Sequence, residues 1–381
     1  MRAVLTLALA LCLASLAGIE VSFRREVSAW VRPWLNDDQN SVMLGGHWKP
    51  ELDLILLTTD AGLALDSRLS VRAAGWYWRG EGGDDSDIDA KLYRGWLRMS
   101  RDLWEARVGL QKINFGPAQM LRSLQWFDQL NPRDPLQHTT GVWAGLGRIY
   151  FANNAGLWGW VVLGEGEPRG TMAMNSRKDA PEFGSRFECP IIDGSLGLTY
   201  HHRELEEPGN AGDPICDSYA VDGRWDWAIG FWTELAAHRY RHIDSLYRQK
   251  WLQSYTIGAD YTIGAGNGLY VLAEAMYVRR ANHFFRRQSF DTCWDDSRTN
   301  DVDNGILSAS MSYPLGMMDQ LTLIVTYDVD ANSYYRYFSW QRTWDYVTAH
   351  LNLNWNPDYA APGASPRETG LSAQFMLTAH F

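Results

Sequence analysis

The segment 113–140 mixes charged and apolar side chains in the longest connection that the sequence predicts. Its charged and titratable side chains are Arg122, Asp128, Arg133, Asp134 and His138. Its large apolar side chains are Met120, Leu121, Leu124, Trp126, Phe127 and Leu130. Exposure of so many apolar side chains to water is unfavourable, so we expect the segment to pack against another part of the protein. At a narrow passage, charges of this kind select solutes electrostatically, without any covalent step.

Further charged side chains recur at every second position of short segments, which is typical of strands with one wet face. Arg94 and Arg98 share a face of LYRGWLRM, and Arg107 shares a face of DLWEARVGLQKI with Glu105 and Gln111. The opposite, outward faces carry Tyr93, Leu97 and Met99 in the first segment, and Trp104, Ala106, Val108 and Leu110 in the second. The three arginines would make a basic inner wall. Later segments place Glu234, Asp260 and Glu274 at inward positions. The alternative is that these charges are merely solvated and paired with one another.

Other site chemistries find little support in the sequence. His201 and His202 are adjacent and face opposite sides of a strand, so they cannot chelate one metal ion together. The run DDSDID, from Asp84 to Asp89, could hold a divalent ion, but an EF-hand needs a glycine and a distal glutamate, and a solvated loop is favoured. No Ser with a His partner and no paired acid and histidine stand out. We therefore expect no catalytic residue, no metal and no cofactor, with a hydrolase as a weaker alternative.

The elements that must position these residues are strands, and the clearest is the last one. In LSAQFMLTAHF one face carries Leu371, Ala373, Phe375, Leu377, Ala379 and Phe381, and the other carries Ser372, Gln374, Met376, Thr378 and His380. One face suits lipid and the other suits water. A closing strand that ends on Phe381 is typical of bacterial outer-membrane β-barrels and resembles the signal that their assembly machinery reads. An ordinary half-buried strand of a soluble sandwich is the alternative.

Alternation of this kind predicts about 18 strands of roughly ten residues each. The predicted spans are 20–32, 50–58, 67–78, 91–99, 103–112, 141–151, 156–165, 183–191, 195–205, 218–227, 229–240, 250–262, 268–279, 303–313, 320–329, 333–342, 345–356 and 369–381. Bacterial single-chain barrels have an even strand count. We therefore expect an all-β fold, a transmembrane antiparallel meander barrel, with sixteen strands as the alternative.

The predicted connections alternate between short and long. The tight ones are 100–102, 152–155, 191–194, 263–267 and 314–319. The long ones are 79–90, 113–140, 166–182, 206–217 and 280–302. Because periplasmic turns of such barrels are short and extracellular loops are longer, the alternation orients the chain. A long first connection, 33–49, and a nearly absent turn near Asp226 fit this scheme less well.

The N-terminus predicts export. Arg2 precedes an apolar run from Ala3 to Leu13, and Ser15 and Ala17 supply the small residues of a cleavage site. We predict a signal peptide over 1–17 and a single barrel domain over 18–381. A lipoprotein anchored at Cys12 is disfavoured because Leu11 is too large for that motif. Beyond the signal, no apolar run approaches the roughly 20 residues of a membrane helix, so membrane entry requires a closed barrel.

Composition is consistent with this class. The formal net charge of −10 argues against nucleic acid as a partner. The mean hydropathy of −0.32 fits a barrel that shows lipid only every second residue. The 19 Trp, 18 Tyr and 13 Phe suit aromatic girdles at the two membrane interfaces, although a carbohydrate-binding protein could be equally aromatic. Of the cysteines after the signal, Cys189 falls in a strand, whereas Cys216 and Cys293 fall in predicted loops and could pair.

The run from Arg107 to Phe151 resembles a motif of porin-like outer-membrane barrels related to alginate-export and phosphate-selective porins. It contains a glycine-bearing loop, a WFD element at Trp126 to Asp128 and an NPRDP element at Asn131 to Pro135, where the pattern has Asp first. The runs TYHHRE and VDGRWDWAIGFWTE extend the resemblance over most of the mature chain. It implies passive transport and names no solute. Porins fold a constriction loop inward at the position of segment 113–140.

These features together predict a channel for small polar or anionic solutes in the bacterial outer membrane, with 113–140 as its constriction loop. The predicted pore-lining residues are Arg94, Arg98, Arg107, Gln111, Arg122, Asp128, Arg133, Asp134, His138, Glu234 and Glu274. The expected partners are outer-membrane lipid and lipopolysaccharide, the barrel-assembly machinery and the solutes, and a homo-oligomer stays open. An exopolysaccharide-export barrel is the alternative transport function.

Overall fold

Eighteen antiparallel strands form one closed sheet in the computed structural model, which describes residues 19–35, 41–80, 83–167, 169–170, 175–206, 214–241, 251–279, 303–357 and 370–381. The strands are β1 (Glu20–Pro33), β2 (Val42–Thr58), β3 (Ala64–Gly80), β4 (Gly83–Arg101), β5 (Trp104–Gln111), β6 (Val142–Tyr150), β7 (Gly156–Leu163), β8 (Pro181–Ile191), β9 (Gly194–Glu204), β10 (Ile215–Asp226), β11 (Gly230–Arg241), β12 (Trp251–Ile263), β13 (Leu269–Arg279), β14 (Asp303–Pro314), β15 (Asp319–Asp328), β16 (Ser333–Thr343), β17 (Val347–Trp355) and β18 (Leu371–His380).

Each strand pairs with its neighbours in the chain, and β1 closes the sheet against β18, from Glu26 opposite His380 to Val31 opposite Phe375. Closure leaves the sheet without a free edge. The predicted meander barrel is therefore confirmed, with a strand for every predicted span. Among the described residues, no helix is long and apolar enough to cross a membrane. The predicted signal peptide, 1–17, lies outside the described residues.

The strands separate an apolar outer face from a polar inner face. In β18, Phe375 and Leu377 are exposed on the outer surface, whereas Gln374, Met376 and Thr378 are buried on the inner side. The last residue, Phe381, continues the pairing with β1, because its N–H and C=O both bond to the backbone of Arg25. The residues that alternate in the sequence of this segment therefore do lie on opposite faces of the strand, as predicted.

Aromatic side chains gather near both ends of the outer surface. Toward the end with the long connections, Tyr219 contacts Tyr200 and Trp251, and Tyr327 stacks on Tyr334 with ring centroids 4.5 Å apart. Exposed rings near the other end are Phe151, Trp227, Trp344, Tyr346 and Phe381. Rings with an apolar body and a polar edge suit the two interfaces of a bilayer. The barrel therefore carries the two girdles expected of an outer-membrane protein.

The connections at one end of the barrel are all short, whereas the opposite end carries the long described connections together with two short ones, 81–82 and 329–332. Those at the first end are 59–63, 102–103, 151–155, 192–193, 227–229, 264–268, 315–318 and 344–346. The two-residue turn 192–193 has positive φ at both Ile192 (36°) and Asp193 (56°), as a type I′ hairpin requires. Segments 112–141 and 164–180 connect strands at the other end. Short turns mark the periplasmic end of such barrels.

Two of the long predicted connections are wrong. Strand β2 begins at Val42 instead of near residue 50, and β3 and β4 continue until only residues 81–82 separate them. Polar contacts support this extension, because the Tyr77 hydroxyl donates to Asp84 (2.5 Å) and Arg79 lies 4.0 Å from the same carboxylate. The run from Asp84 to Asp89 is thus an exposed strand instead of a loop. The segment is polar throughout and lacks the apolar alternation of a lipid-facing strand. The sequence pattern therefore does not predict that β4 continues beyond the lipid-facing belt.

Irregular backbone in β4 and β5 overturns two predicted orientations. The β3–β4 register shifts between Ser70, opposite Arg94, and Val71, opposite Leu92. Tyr93 is the extra residue of this bulge, and its side chain points inward with Arg94 instead of outward. In β5, Gly109 has a φ of +118°, after which Leu110 is buried inside instead of facing lipid. Strict alternation cannot reveal such shifts.

Candidate functional site inside the barrel

The connection 112–141 runs along the inner side of the barrel wall and is attached there by Glu274 of β13. This carboxylate accepts hydrogen bonds from the backbone N–H groups of Gln119 (2.7 Å), Met120 (2.9 Å) and Leu121 (2.5 Å). It also accepts one from the indole N–H of Trp232 (3.0 Å). Glu274 is 3% exposed, so it faces the loop instead of open lumen. One inward carboxylate therefore satisfies three consecutive loop amides.

A second carboxylate, Glu234 of β11, holds the neighbouring part of the loop. It accepts hydrogen bonds from the N–H groups of Ala118 (2.9 Å) and Leu124 (3.0 Å), and it is fully buried. Gly116 approaches the same carboxylate with a φ of +88°, and a Cβ there would collide with Oε1 of Glu234. The glycine that the sequence places in this loop is thus required by both backbone and space.

Apolar side chains of the loop fill the space between it and the wall. One cluster joins Ala118, Met120 and Leu121 to wall residues that include Leu252, Leu272, Met276, Val278, Ile306 and Ile324. The other joins Ile113, Phe115, Leu124, Trp126 and Phe127 to Val142, Ala144, Leu146, Trp160, Val162, Ala220 and Ala236. The first half of the loop is therefore the hydrophobic core of this barrel.

Arg122 and Asp128 form an ion pair inside the loop, with Arg122 Nη1 3.2 Å from Asp128 Oδ2. Arg122 also donates to the side chain of Asn114 and to the carbonyl of Phe115. The two residues are only 4% and 1% exposed. The prediction that they meet passing solute is wrong, because the pair satisfies itself and fixes the shape of the loop.

The second half of the loop turns twice, and the NPRDP element explains why. Asn131 opens the first turn, accepting the N–H of Arg133 at its side chain (2.9 Å) and that of Asp134 at its carbonyl (3.0 Å). Asp134 opens the second turn, in which its carbonyl accepts the N–H of Gln137 (3.1 Å). Each opening residue is followed by a proline, which presets the φ of the next turn position. The Asp134 side chain also accepts the N–H of His138 (3.2 Å). The element thus presents Arg133, Asp134 and His138 as one rigid unit.

This second half borders a cavity of about 1430 Å³ toward the end with the long connections. The cationic side chains that line the cavity are Arg32, Arg72, Lys91, Arg94, Arg133 and Arg169, and the acidic ones are Asp134, Glu165 and Glu167. Burial raises the pKa of Glu165, which favours its neutral form. Burial also lowers the pKa of His138, which favours the neutral imidazole. Cationic side chains therefore outnumber acidic ones in the described lining, although Arg169 pairs with Glu182 (3.0 Å) and Lys91 with Asp89 (3.0 Å).

Arg94 ties the loop end to the wall while it faces the cavity. Its guanidinium donates to the carbonyl (3.1 Å) and the hydroxyl (2.8 Å) of Thr139. It stacks over the Tyr93 ring with Cζ 4.1 Å from the centroid, and the Tyr93 hydroxyl accepts the N–H of Thr139. The bulge in β4 makes this arrangement possible, because it brings Tyr93 and Arg94 to the same side.

Arginines and carboxylates alternate along the inner wall from β1 to β12. Pairs in this ladder are Arg68 with Asp53 (2.6 Å), Arg98 with Asp66 (2.9 Å), Arg148 with Glu105 (2.9 Å), Arg186 with Asp222 (2.5 Å) and Arg224 with Asp260 (3.3 Å). Arg107 lies 3.8 Å from Glu105, with its Cζ 4.7 Å from the Trp96 centroid. Two of the three arginines of the predicted basic wall, Arg98 and Arg107, thus lie beside carboxylates, and a basic wall stays a prediction.

The eleven predicted pore residues thus divide into three groups. Arg94, Arg133, Asp134 and His138 line the cavity. Arg98 and Arg107 belong to the paired ladder and keep partly exposed side chains. The buried group consists of Gln111, Arg122, Asp128, Glu234 and Glu274. Gln111 is fully buried, and its amide donates to the carbonyl of Ala144 (2.9 Å).

Sequence reasoning missed several residues of the cavity lining, among them Arg32, Arg72, Lys91 and His47. Arg72 and Lys91 are cross-strand partners in the β3–β4 hairpin. Arg72 lies inside the predicted span 67–78 and shares the parity of Arg68 and Ser70, so the alternation of β3 would have found it. Lys91 lies inside the predicted span 91–99, but the bulge at Tyr93 separates it from the parity of Arg94. Arg32 lies inside the predicted span 20–32, whereas His47 precedes the predicted start of β2 at residue 50 and belongs to the part of that strand that the prediction missed.

The remaining sequence predictions concern cysteines and histidines. Cys216 is fully buried in β10 and forms no disulfide with a described cysteine, so its predicted place in a loop is wrong. Its proposed partner Cys293 lies outside the described residues. His201 is buried on the inner side, whereas His202 stacks on Phe183. The two rings have different partners, as their adjacency in a strand predicts.

No protein-family model matches the chain, and no curated protein matches it significantly. Solved structures similar to it include OccAB1 from Acinetobacter baumannii, with a TM-score of 0.54 and 10% identity over 96% of both chains. OccK5 (OpdH) from Pseudomonas aeruginosa gives a TM-score of 0.52 and 11% identity over 95% of this chain and 97% of that one. An anion-selective porin from Comamonas acidovorans gives a TM-score of 0.49 and 11% identity over 95% of this chain and 100% of that one.

At these identities, the likeness shows a shared fold. The chain has the closed-barrel fold of OccAB1 and OccK5, and its girdles and apolar outer face match the predicted outer-membrane location. The narrower resemblance to alginate-export and phosphate-selective porins stays a prediction.

Proposed function

We propose that the protein is a passive outer-membrane channel for small polar solutes that favours anions. The observation that carries the proposal is the cavity beside the second half of the loop, with six cationic and three acidic side chains in its described lining. Charges that line a narrow passage bias which ions enter it. The Debye length at physiological ionic strength is about 8 Å, so charges on the cavity wall act on a solute inside it.

The paired ladder contributes differently. Because Arg98 and Arg148 are matched by Asp66 and Glu105, this part of the wall is polar with little net charge. It would keep the passage wet and let hydrated solutes pass without a strong binding site. The bias toward anions would come from the cavity, and the ladder would supply a polar path toward the periplasmic end.

The attached loop supplies the narrowing that a selective channel needs. Its first half fills part of the lumen as an apolar core, fastened by Glu234 and Glu274. Its second half carries Arg133 and Asp134 to the cavity wall. The function of the first half would be support, and that of the second half would be contact with solutes. Neither role involves a reacting group, and the expectation that the chain is not an enzyme stays a prediction.

Reconstitution tests this proposal. The purified, folded chain should give stepwise conductance in a planar bilayer. Liposomes that contain it should admit a small sugar acid faster than the neutral sugar of similar size. A heat-modifiable, folded preparation without conductance steps would overturn the channel proposal, whereas equal uptake of both solutes would overturn the preference for anions.

A further inference from the structure

Glu26, His47 and His138 meet at one point of the inner wall, although they come from β1, β2 and the far end of the loop. Both Nε2 atoms point to Glu26 Oε1, at 2.8 Å for His47 and 3.2 Å for His138. The two rings are perpendicular with centroids 4.8 Å apart. The potential ligand atoms of the three residues all lie within 4.8 Å of one another. The channel proposal assigns no role to this convergence.

Two imidazole nitrogens and one carboxylate oxygen are a ligand set for zinc-class divalent metals. Ligand atoms around a tetrahedral zinc ion, with bonds of about 2.0 to 2.1 Å, lie roughly 3.3 Å apart. The nitrogen–oxygen separations of 2.8 and 3.2 Å already approach this value. The two imidazole nitrogens lie within 4.8 Å of each other and would have to adjust toward the same separation to hold one ion. Water from the cavity, which His47 and His138 both line, could fill the fourth position.

The surroundings hold both imidazoles in place for ligation. The hydroxyl of Ser28 hydrogen-bonds Nδ1 of His47, which leaves Nε2 directed at the site. The Asp134 carboxylate accepts the backbone N–H groups of Leu136 (3.1 Å) and His138 (3.2 Å), so the second turn of the NPRDP element fixes the position of His138. Partners of this kind behind a ligand are what metal sites use to fix ring orientation.

Lys49 competes for the same carboxylate. Its Nζ lies 3.0 Å from Glu26 Oε1 and 5.5 Å from the Tyr93 ring centroid. This ammonium balances the charge of Glu26. A divalent ion would have to displace it, and the flexible side chain can swing toward Tyr93. Removing the charge of Lys49 should therefore strengthen metal binding.

We propose that Glu26, His47 and His138 bind one zinc-class divalent metal ion, which fastens the far end of the loop to β1 and β2. His138 is the ligand that the loop contributes, and the other two belong to the wall. A bound ion would fix the loop end beside the cavity entrance. Its expected effect on conductance rests on the proposed channel function, whereas metal binding itself does not.

The test is zinc titration of the tag-free, folded full chain by calorimetry, with Mg²⁺ and Ca²⁺ as controls. The wild type should bind one zinc ion per chain and should bind neither control ion at the site. His138→Ala and His47→Ala should each weaken zinc binding at least tenfold. His202→Ala, a histidine on the outer face, is the matched control and should bind like the wild type. Lys49→Met should bind zinc more tightly.

Two results would overturn the proposal. One is the absence of stoichiometric zinc binding in both the wild type and Lys49→Met. The other is zinc binding that His138→Ala leaves unchanged, which would place the ion elsewhere. Bilayer recording adds a separate readout: zinc should reduce conductance or its fluctuations in the wild type but not in His138→Ala. A protein that binds zinc but never conducts would refute the channel and keep the metal site.

Discussion

Replacing Glu274 by Ala should release the middle of the loop from the barrel wall. The change removes the acceptor of four buried N–H groups, namely the backbone N–H of Gln119, Met120 and Leu121 and the indole N–H of Trp232. A buried donor left without a partner costs about 1 to 3 kcal/mol, so four of them cost roughly 4 to 12 kcal/mol. Keeping Met120 and Leu121 buried is worth about 1.5 to 3 kcal/mol each, or roughly 3 to 6 kcal/mol together. The two amounts are comparable, so the loop should alternate between attached and released states.

Single-channel recording should therefore show added open-state noise and a higher mean conductance in Glu274→Ala. Glu274→Gln should show a smaller effect, because the amide keeps one carbonyl acceptor. Glu188→Ala is the matched control, since this half-exposed glutamate of β8 pairs with Arg186. A folded Glu274→Ala barrel with wild-type conductance and noise would refute the idea that this carboxylate holds the loop.

Three further changes test the wall, the loop and the cavity. Arg107→Glu should move ion selectivity toward cations with little loss of stability, whereas Val108→Arg on the outer face should cost about 2 to 4 kcal/mol of unfolding free energy. Reversal potentials measure the change in selectivity, and urea unfolding measures the change in stability. If Val108→Arg left stability unchanged while Arg107→Glu prevented assembly of the barrel, our assignment of the inner and outer faces would be reversed. Deleting 123–135 should raise conductance and loosen selectivity, and an unchanged conductance in a folded barrel would contradict the narrowing. Arg72→Glu should lower the ratio of anion to cation permeability, and an unaltered ratio would remove the cavity lining as its source.

The strands could be predicted from sequence because alternation is a local property. Each strand needs only its own residues to show which side faces lipid, as Phe375 and Met376 do in β18. Prediction failed where the backbone departs from a regular strand. The bulge at Tyr93 and the positive φ of Gly109 each reverse the alternation, and of the two residue types only glycine suggests such a departure.

The site was harder to predict because its contacts join distant parts of the chain. The sequence of the loop shows that it contains both charged and apolar residues. No pattern in the neighbouring residues shows that Arg122 pairs with Asp128 instead of facing solute. Glu26 and His138 are 112 positions apart, and they meet only because the barrel closes and the loop turns back to β1. Local patterns reveal such residues singly, and the register of the closed sheet decides which of them meet.

The most direct test of the central claim is single-channel recording of the folded wild type across a salt gradient. Our account predicts discrete conductance steps and a reversal potential displaced toward that of the anion, because cationic side chains predominate in the described cavity lining. Discrete steps with a reversal potential displaced toward the cation would contradict the proposed selectivity. The absence of steps from a folded, heat-modifiable barrel would contradict the channel itself.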